Sequence, residues 1–268
     1  MFRDFRTNKI LWNITTLLTF VAASAGILFP RMYDNVFAKE FIPGALPQDI
    51  LTVMICVGLF ILISKTKESD IKKQIIILGI IGSFFYLYGI FTIERVYNYF
   101  YILYAAIFAV SFWSILFSLM HLHELAHYKV SISSVITKIS AISGLAIAIL
   151  FSILWILSLL PLMKTHNRIE YLYSIYILDL CFVMPAFFIC AILTLQKKSI
   201  GLLLLPSVLI IGFFVIFPLG LGELAKPFYG QIPNANSMIM SFVFSAYMLV
   251  VGGLHVWKLK IVYNKKVL

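Results

Sequence analysis

The sequence predicts an all-α, polytopic transmembrane helix bundle, and two properties of the chain carry that prediction. Of the 268 residues, 62% are hydrophobic and only 12% are charged, and the mean hydropathy is +1.01. A soluble globular chain has about 25% charged residues, so this composition excludes that class. The second property is a series of long apolar runs, most of which reach the ~20 residues that a helix needs to cross ~30 Å of hydrocarbon.

Eight apolar runs give the predicted spans, and residues 1–268 are interpreted as one transmembrane domain. The second run is the shortest, and it is extended by placing Pro47 at the start of its helix, where the missing N–H is tolerated. The predicted spans cover residues 10–29, 48–64, 75–93, 99–122, 139–162, 171–195, 200–221 and 238–257.

The distribution of basic residues predicts the orientation of the chain. An even number of spans puts both termini on one side of the membrane, and these boundaries place 15 lysines and arginines on that side against 6 on the other. By the positive-inside rule, both termini are cytoplasmic and the protein lies in the cytoplasmic membrane. The net charge of +10 then reflects topology and attraction to anionic lipid. The bilayer is the predicted partner, and the chain lacks the basic domain that a nucleic-acid partner requires.

Several polar residues fall at the predicted outer ends of the spans. Asp49 begins the second span, where its carboxylate either suits the positive end of the helix dipole or binds a ligand. Glu94 and Arg95 form a tight outer turn beside Asn98. Tyrosines crowd this region, and they are either interfacial anchors or the aromatic wall of an outward-facing pocket. These tyrosines are Tyr86, Tyr88, Tyr97, Tyr99, Tyr101 and Tyr104.

Asp179 is the most costly residue to place in the membrane. A charged aspartate near a helix centre costs ~2.5–3.5 kcal/mol on insertion scales, so it is expected to face the bundle and to be protonated or paired. The expected partners are tyrosine hydroxyls or Arg95. Pro185 lies in the same span and is expected to kink it.

These observations predict a polar cavity that opens to the outside and binds or passes a small solute or ion. Asp179 would be its titratable or cation-binding centre, with Arg95 as the counter-charge. No cofactor is needed for this function. A structural subunit of a larger complex, with an apolar face that requires a partner, is an open alternative. The predicted ligand-binding residues are Asp49, Glu94, Arg95, Asn98, Asp179 and Glu223.

A second open alternative is a membrane zinc metalloprotease, because residues 123–127 read His-Glu-Leu-Ala-His. On a helix, His123 and His127 lie on one face and can bind zinc, while Glu124 can activate a zinc-bound water. A third protein ligand is needed, and the next acidic residue, Glu170, lies on the outer side. Asp179 lies ~25 Å from the cytoplasmic surface as helix, too far for metal bonds of ~2 Å. The preferred prediction therefore assigns no catalytic or metal-binding residue.

Two short stretches resemble membrane proteases. HELAHYK, residues 123–129, resembles the zinc motif of membrane sensor metalloproteases involved in antibiotic resistance, a family in which a downstream cytoplasmic glutamate completes the site. Leu178-Asp179 resembles the start of the LDG motif of intramembrane site-2 proteases, but the glycine is absent. These resemblances imply a zinc cofactor and proteolysis. By the predicted topology, Glu68, Asp70 or His121 remain as cytoplasmic candidates for the third ligand, and no motif supports them.

Over most of its length the chain resembles a family of bacterial eight-span membrane proteins. The resemblance rests on residues 86–116, with Tyr88, Asn98 and Tyr104, and on residues 177–180 with Pro185. It implies the eight-span architecture and no established reaction.

Overall fold

The computed structural model of the chain describes residues 5–124 and 129–262. Helices make up most of these residues. They are α1 (Phe5–Leu28), α2 (Ile42–Ser64), α3 (Ile71–Ile93), α4 (Tyr101–Glu124), α5 (Ser134–Thr165), α6 (Tyr173–Leu178), α7 (Met184–Leu195), α8 (Ser199–Ala225) and α9 (Ala235–Lys258). A π-helical turn, Asp179–Val183, joins α6 and α7 into one continuous span.

The described residues contain eight helical segments that are long and apolar enough to cross a membrane, which confirms the predicted all-α, multi-pass architecture. The sequence-based prediction started the second span too late, at residue 48. Helix α2 begins at Ile42 with Pro43 in its first turn, and Pro47 lies inside the helix. Because proline is tolerated in the first turn, Pro43 and Pro47 were both possible starting points, and only the structure distinguishes them.

Helices α3 and α8 form the centre of the bundle and are the most buried of the eight spans. Helices α1, α2 and α4 share a hydrophobic cluster with α3, and α5, α7 and α9 share a second cluster with α8. The two central helices approach closely, since a Cβ atom at Gly79 would lie 2.7 Å from Cβ of Ile210. Ser207 also donates a hydrogen bond to the Ile75 carbonyl at 2.8 Å. The two groups of helices therefore meet along α3 and α8.

Helix α5 is the least buried span and presents apolar side chains at the surface of the bundle. Ile149, Ile153, Ile156 and Leu157 are all about half exposed. Exposed aliphatic side chains on a helix of this length indicate contact with lipid tails, which is the predicted bilayer partner.

Helices α1 and α4 meet along a buried stripe of hydroxyl groups. The Trp12 indole donates to Ser118 Oγ at 2.9 Å, and the Thr15 and Ser114 hydroxyls are 3.0 Å apart. Water does not compete for these groups in hydrocarbon, so hydrogen bonds between helices help to fix the position of α1 along α4.

The inner ends of several helices are joined by a short ribbon and by lysine contacts. Strand β1 (Lys129–Ser131) pairs antiparallel with β2 (Lys260–Val262). The Lys72 ammonium donates to the Trp257 carbonyl at 2.9 Å, and Lys9 reaches the Ser64 carbonyl at 3.4 Å. The start of α1 and the end of α9 therefore lie on the same side of the bundle, as an even number of spans requires. We use inner for this side and outer for the opposite side.

Candidate solute site

A cavity of about 590 Å³, here called the outer cavity, lies between the outer halves of α2, α3 and α8 and the start of α9. Aromatic and aliphatic side chains form most of its wall, including Phe84, Phe91 and Phe214. A smaller set of polar side chains reaches the same space. These polar residues are Glu40, Gln48, Thr52, Ser83, Tyr86, Glu223, Lys226, Ser237 and Ser241.

The packing of α2 explains why this space is open. Helix α2 packs mainly on α1 and α8 and only sparingly on α3, so a gap remains between α2 and α3. At the outer end, α2 crosses α8 at two glycines that line the cavity, Gly44 and Gly222. A Cβ atom at Gly222 would lie 3.3 Å from the Gly44 Cα, tighter than usual contacts. The two glycines therefore hold α2 against α8 while the gap beside α3 stays open.

Glu223 lies at the rim of the outer cavity and positions the start of α9. One carboxylate oxygen forms an ion pair with Lys226 at 2.7 Å, and the other accepts a hydrogen bond from the Asn234 amide at 2.7 Å. The Asn234 side chain in turn accepts from the Ser237 amide at 3.1 Å and caps α9. Glu223 therefore lines the cavity and also holds Asn234, the residue that caps α9.

Asp179 lies behind the wall of the outer cavity and contacts it through Tyr86. The carboxyl group is buried, with 6% of the residue exposed, and Oδ2 accepts a hydrogen bond from the Trp155 indole at 2.7 Å. The Tyr86 hydroxyl interacts with the same carboxyl group, while Tyr86 also lines the cavity. Tyrosine was one of the partners expected for Asp179, and the indole was missed.

Arg95 contacts α6 and does not contact Asp179. Its guanidinium donates to the Tyr173 hydroxyl at 3.0 Å and lies 5.6 Å from the centre of the Tyr173 ring. Glu94 accepts a hydrogen bond from the Ser174 amide at 2.8 Å, in the first turn of α6. A carboxylate at a helix N-terminus satisfies an otherwise unpaired amide. Glu94 and Arg95 thus dock the outer end of α6 onto α3, and the expected pairing of Arg95 with Asp179 is wrong for this structure.

The backbone at Arg95 ends α3 in a Schellman motif. The Val96 amide donates to the Phe91 carbonyl at 3.1 Å, and the Arg95 amide donates to the Thr92 carbonyl at 3.3 Å. Arg95 has a φ of +58°, the left-handed conformation that this motif requires and that glycine adopts most easily. An arginine at this position accepts backbone strain, and its side chain is held by Tyr173.

Asp49 and Asn98 belong to one network of tyrosines, away from the outer cavity, because Tyr33 and Tyr104 also interact with each other. Tyr33 donates to Asp49 Oδ2 at 2.8 Å, and the Asn98 amide donates to the Tyr104 hydroxyl at 3.1 Å. Burial and the neighbouring Asp49 raise the pKa of Tyr33, which therefore keeps the proton that it donates. Asp49 is not a helix cap, because α2 begins at Ile42.

Gly26 makes room for this network on the facing surface of α1. A Cβ atom at that position would lie 1.9 Å from Asp49 Oδ2 and 2.5 Å from the Tyr33 hydroxyl. The glycine, the carboxyl group and the phenol therefore pack tightly against one another, and no side chain fits at position 26.

The structure divides the predicted site residues among four places. Glu223 lines the outer cavity, Asp179 lies behind its wall, Glu94 and Arg95 dock α6, and Asp49 and Asn98 join the tyrosine network. The expectation that all six line one cavity is corrected accordingly, because five of them have hydrogen-bond partners on other elements outside the cavity. Seven further polar residues line the cavity and were not predicted, because single hydroxyl, amide or charged side chains in or beside apolar runs give no strong signal. They are Glu40, Gln48, Thr52, Ser83, Lys226, Ser237 and Ser241.

The zinc-protease alternative falls partly outside the residues that the structure describes. His127 lies outside the described residues, and so do the side chains of His123 and Glu124. Within residues 5–124 and 129–262, no group of three or more potential metal ligands comes together. The proposed zinc ligands and Glu124 as a catalytic residue stay predictions.

The fold and the site define this chain as a multi-pass helical membrane protein with an intramembrane cavity. The chain matches no protein-family model, no curated protein and no solved structure among those compared with it.

We expect the Gly26→Ala substitution to destabilise the protein by ~1–3 kcal/mol, because the new methyl group overlaps the Asp49 carboxyl group. Gly58→Ala is the matched control, since Gly58 is a helical glycine whose Cβ would have no neighbour within 4 Å. Alanine there should be neutral or stabilise by ~0.5–1 kcal/mol through helix propensity. Thermal unfolding in lipid nanodiscs measures both, and equal melting temperatures for the two variants would contradict the packing described for Gly26.

We expect Arg95→Gly to be more stable than Arg95→Ala by ~1 kcal/mol. Both variants lose the contacts with Tyr173, but only alanine keeps the strain of a positive φ. The comparison uses the same unfolding measurement. If alanine is as stable as glycine at this position, the left-handed conformation at the end of α3 is not required.

Proposed function

We propose that the protein binds a small amphipathic solute in the outer cavity, as a receptor or as a transporter. The observation that supports this most directly is a cavity of about 590 Å³ whose apolar walls carry a few convergent polar groups. Small-molecule sites in proteins have this volume range and this division between apolar surface and polar contacts. The proposal keeps the expectation of an outward-facing solute site and moves its centre from Asp179 to the space in front of Tyr86.

The cavity wall indicates the chemistry of the solute. Phe84, Phe91 and Phe214 favour an apolar body, because apolar side chains form most of the wall. Ser83 and Tyr86, on α3, are hydroxyl-bearing residues of the wall. At the rim, the ion pair of Glu223 and Lys226 offers one group of each sign. A molecule with an apolar body and a dipolar or hydrogen-bonding group therefore fits this wall.

Transport would require the seal below the cavity to open. The inner halves of α3 and α8 are in close contact at Gly79 and Ile210, and Ser207 bonds to the α3 backbone. Helix α8 contains Pro206 and Pro218, and Pro218 lines the cavity. Proline removes a backbone hydrogen bond within a helix, so α8 has two positions at which it can bend. Movement of α8 against α3 is the change that passage of the solute requires under this proposal.

Filling the cavity tests the proposal. We expect Ser83→Phe to abolish solute binding, because Ser83 lines the cavity and a benzyl group would occupy its space. Ser158→Phe is the matched control. Both serine hydroxyls bond to a carbonyl of their own helix, to Ile80 at 2.7 Å and to Leu154 at 2.9 Å, but Ser158 is exposed on α5.

The measurement is the shift in melting temperature of the purified protein in nanodiscs, across a panel of amphipathic compounds. A compound that stabilises the wild type and Ser158→Phe, but not Ser83→Phe, supports the outer cavity as its site. Stabilisation that survives Ser83→Phe would place the solute elsewhere. A panel with no stabilising compound would count against a solute-binding function.

A further inference from the structure

Tyr86 connects two environments that the proposed function treats separately. Its side chain lines the outer cavity, and its hydroxyl interacts with the buried carboxyl group of Asp179. A tyrosine hydroxyl has a single proton and can donate it to only one acceptor at a time. Tyr86 can therefore donate to Asp179 or to a solute in the cavity, but not to both.

The protonation state of Asp179 determines which of these bonds forms. An ionised carboxylate only accepts hydrogen bonds, so it accepts one from the Tyr86 hydroxyl as well as one from the Trp155 indole. A protonated carboxyl group has an O–H of its own, which can donate to the Tyr86 oxygen. Tyr86 is then free to turn its proton toward the cavity. The indole of Trp155 is a donor only, and it donates to Oδ2 of Asp179 in both states.

The surroundings of Asp179 leave Tyr86 as its only titratable neighbour among the described residues. Helix α3 presents Tyr86, and α5 presents Trp155, which packs edge-on against Tyr176 of α6. The adjacent cluster contributes the apolar side chains of Phe85, Leu178, Val183 and Val215. No lysine, arginine, histidine or second carboxyl group within residues 5–124 and 129–262 contacts this carboxyl group. A charge on Asp179 would therefore have no counter-charge, which is a costly arrangement inside hydrocarbon.

The backbone at Asp179 is also unusual. Asp179 begins the π-helical turn Asp179–Val183, and its carbonyl accepts from the Met184 amide. Pro185 follows, and its ring lacks the N–H that would continue a regular helix. Single π-turns inside α-helices are frequent at functional sites, and here the turn coincides with the buried carboxyl group.

We propose that Asp179 is a proton-binding site whose occupancy Tyr86 couples to the outer cavity, so that protonation of Asp179 strengthens the binding of solutes that carry a hydrogen-bond acceptor. This inference rests on the proposed function and adds the chemistry of the solute. One proton from water in the cavity binds to a carboxylate oxygen of Asp179, and the Tyr86 O–H turns from Asp179 to the solute. When the solute leaves and the proton returns to water, Tyr86 again donates to the carboxylate. Because linkage is reciprocal, binding of the solute takes up a proton.

Two probes whose charge does not change with pH distinguish this mechanism from simple burial of an apolar chain in the cavity. One probe is neutral and the other is a cation. Octanamide carries a carbonyl acceptor and does not titrate, whereas octylammonium carries donors only and keeps its charge from mildly acid to mildly alkaline pH. Calorimetric titration into the protein in phosphatidylcholine nanodiscs, with empty nanodiscs subtracted, gives the affinity at each pH. We expect octanamide to bind about threefold to tenfold more tightly at acid pH, the worth of one hydrogen bond, and octylammonium to show no such change.

Two variants test the residues. Asp179→Asn should bind octanamide with no dependence on pH, because the amide NH₂ can donate to Tyr86 as the protonated acid does. Tyr86→Phe should lose both the tighter binding at acid pH and the pH dependence. A purely structural role for either residue would leave the pH profile of the wild type in place. Persistence of the pH dependence in both variants would overturn the proposal.

If neither probe binds, that result counts against the proposed solute-binding function but does not test the link between Asp179 and Tyr86. Infrared spectroscopy then tests that link directly. The infrared carboxyl band that disappears in Asp179→Asn should titrate with pH in the wild type, and Tyr86→Phe should shift its midpoint. Asp49→Asn should leave that band unchanged, because Asp49 bonds to Tyr33 in a separate network. A band that does not titrate, or that is indifferent to Tyr86→Phe, would overturn the coupling.

Discussion

The structure depends on one constraint, that a polar group inside hydrocarbon must find its partner within the protein. Two buried carboxyl groups show how this chain meets it. Asp49 is held by the Tyr33 hydroxyl, which the chain brings back over the outer end of the bundle, and Asp179 is held by the Trp155 indole and by Tyr86. Each pairing joins different helices or loops, so the same contacts that satisfy a carboxyl group also position the surrounding aromatic side chains.

The outer cavity follows from the way α2 is attached. Two small residues, Gly44 and Gly222, let α2 lie against α8, while α2 contacts α3 only sparingly. The gap is closed below by the α3–α8 contact, and the start of α9, which Glu223 holds through Asn234, forms part of its outer wall. The cavity therefore needs no dedicated domain, because it is the space that three helix contacts leave between them.

The architecture could be predicted from the sequence because span length and hydropathy are local properties. Which face of each helix points into the bundle could not be predicted, because each span is apolar nearly all round and its few polar residues give no amphipathic pattern. Asp49 and Thr52 are three residues apart on α2, yet Asp49 faces Tyr33 and Thr52 lines the cavity. Glu94 and Arg95 were predicted to bind a ligand in the cavity, but they contact the start of α6, about 80 residues away in the chain. Of the six tyrosines of the predicted cluster, Tyr86 lines the outer cavity, whereas Tyr104 bonds to Asn98 in the tyrosine network.

The accessibility of the outer cavity from the predicted outer side is the most direct test of this account. Cys56, Cys181 and Cys190 are replaced by alanine, and single cysteines are introduced as Ser83→Cys in the cavity and Ser158→Cys on the lipid-facing surface of α5. A thiol reacts as the thiolate, which needs water around it, so a charged, membrane-impermeant reagent added outside sealed cells distinguishes the two positions. The account predicts that Ser83→Cys is modified from outside and Ser158→Cys is not. Protection of Ser83→Cys from the outside reagent, or its modification only from the cytoplasmic side, would contradict the account.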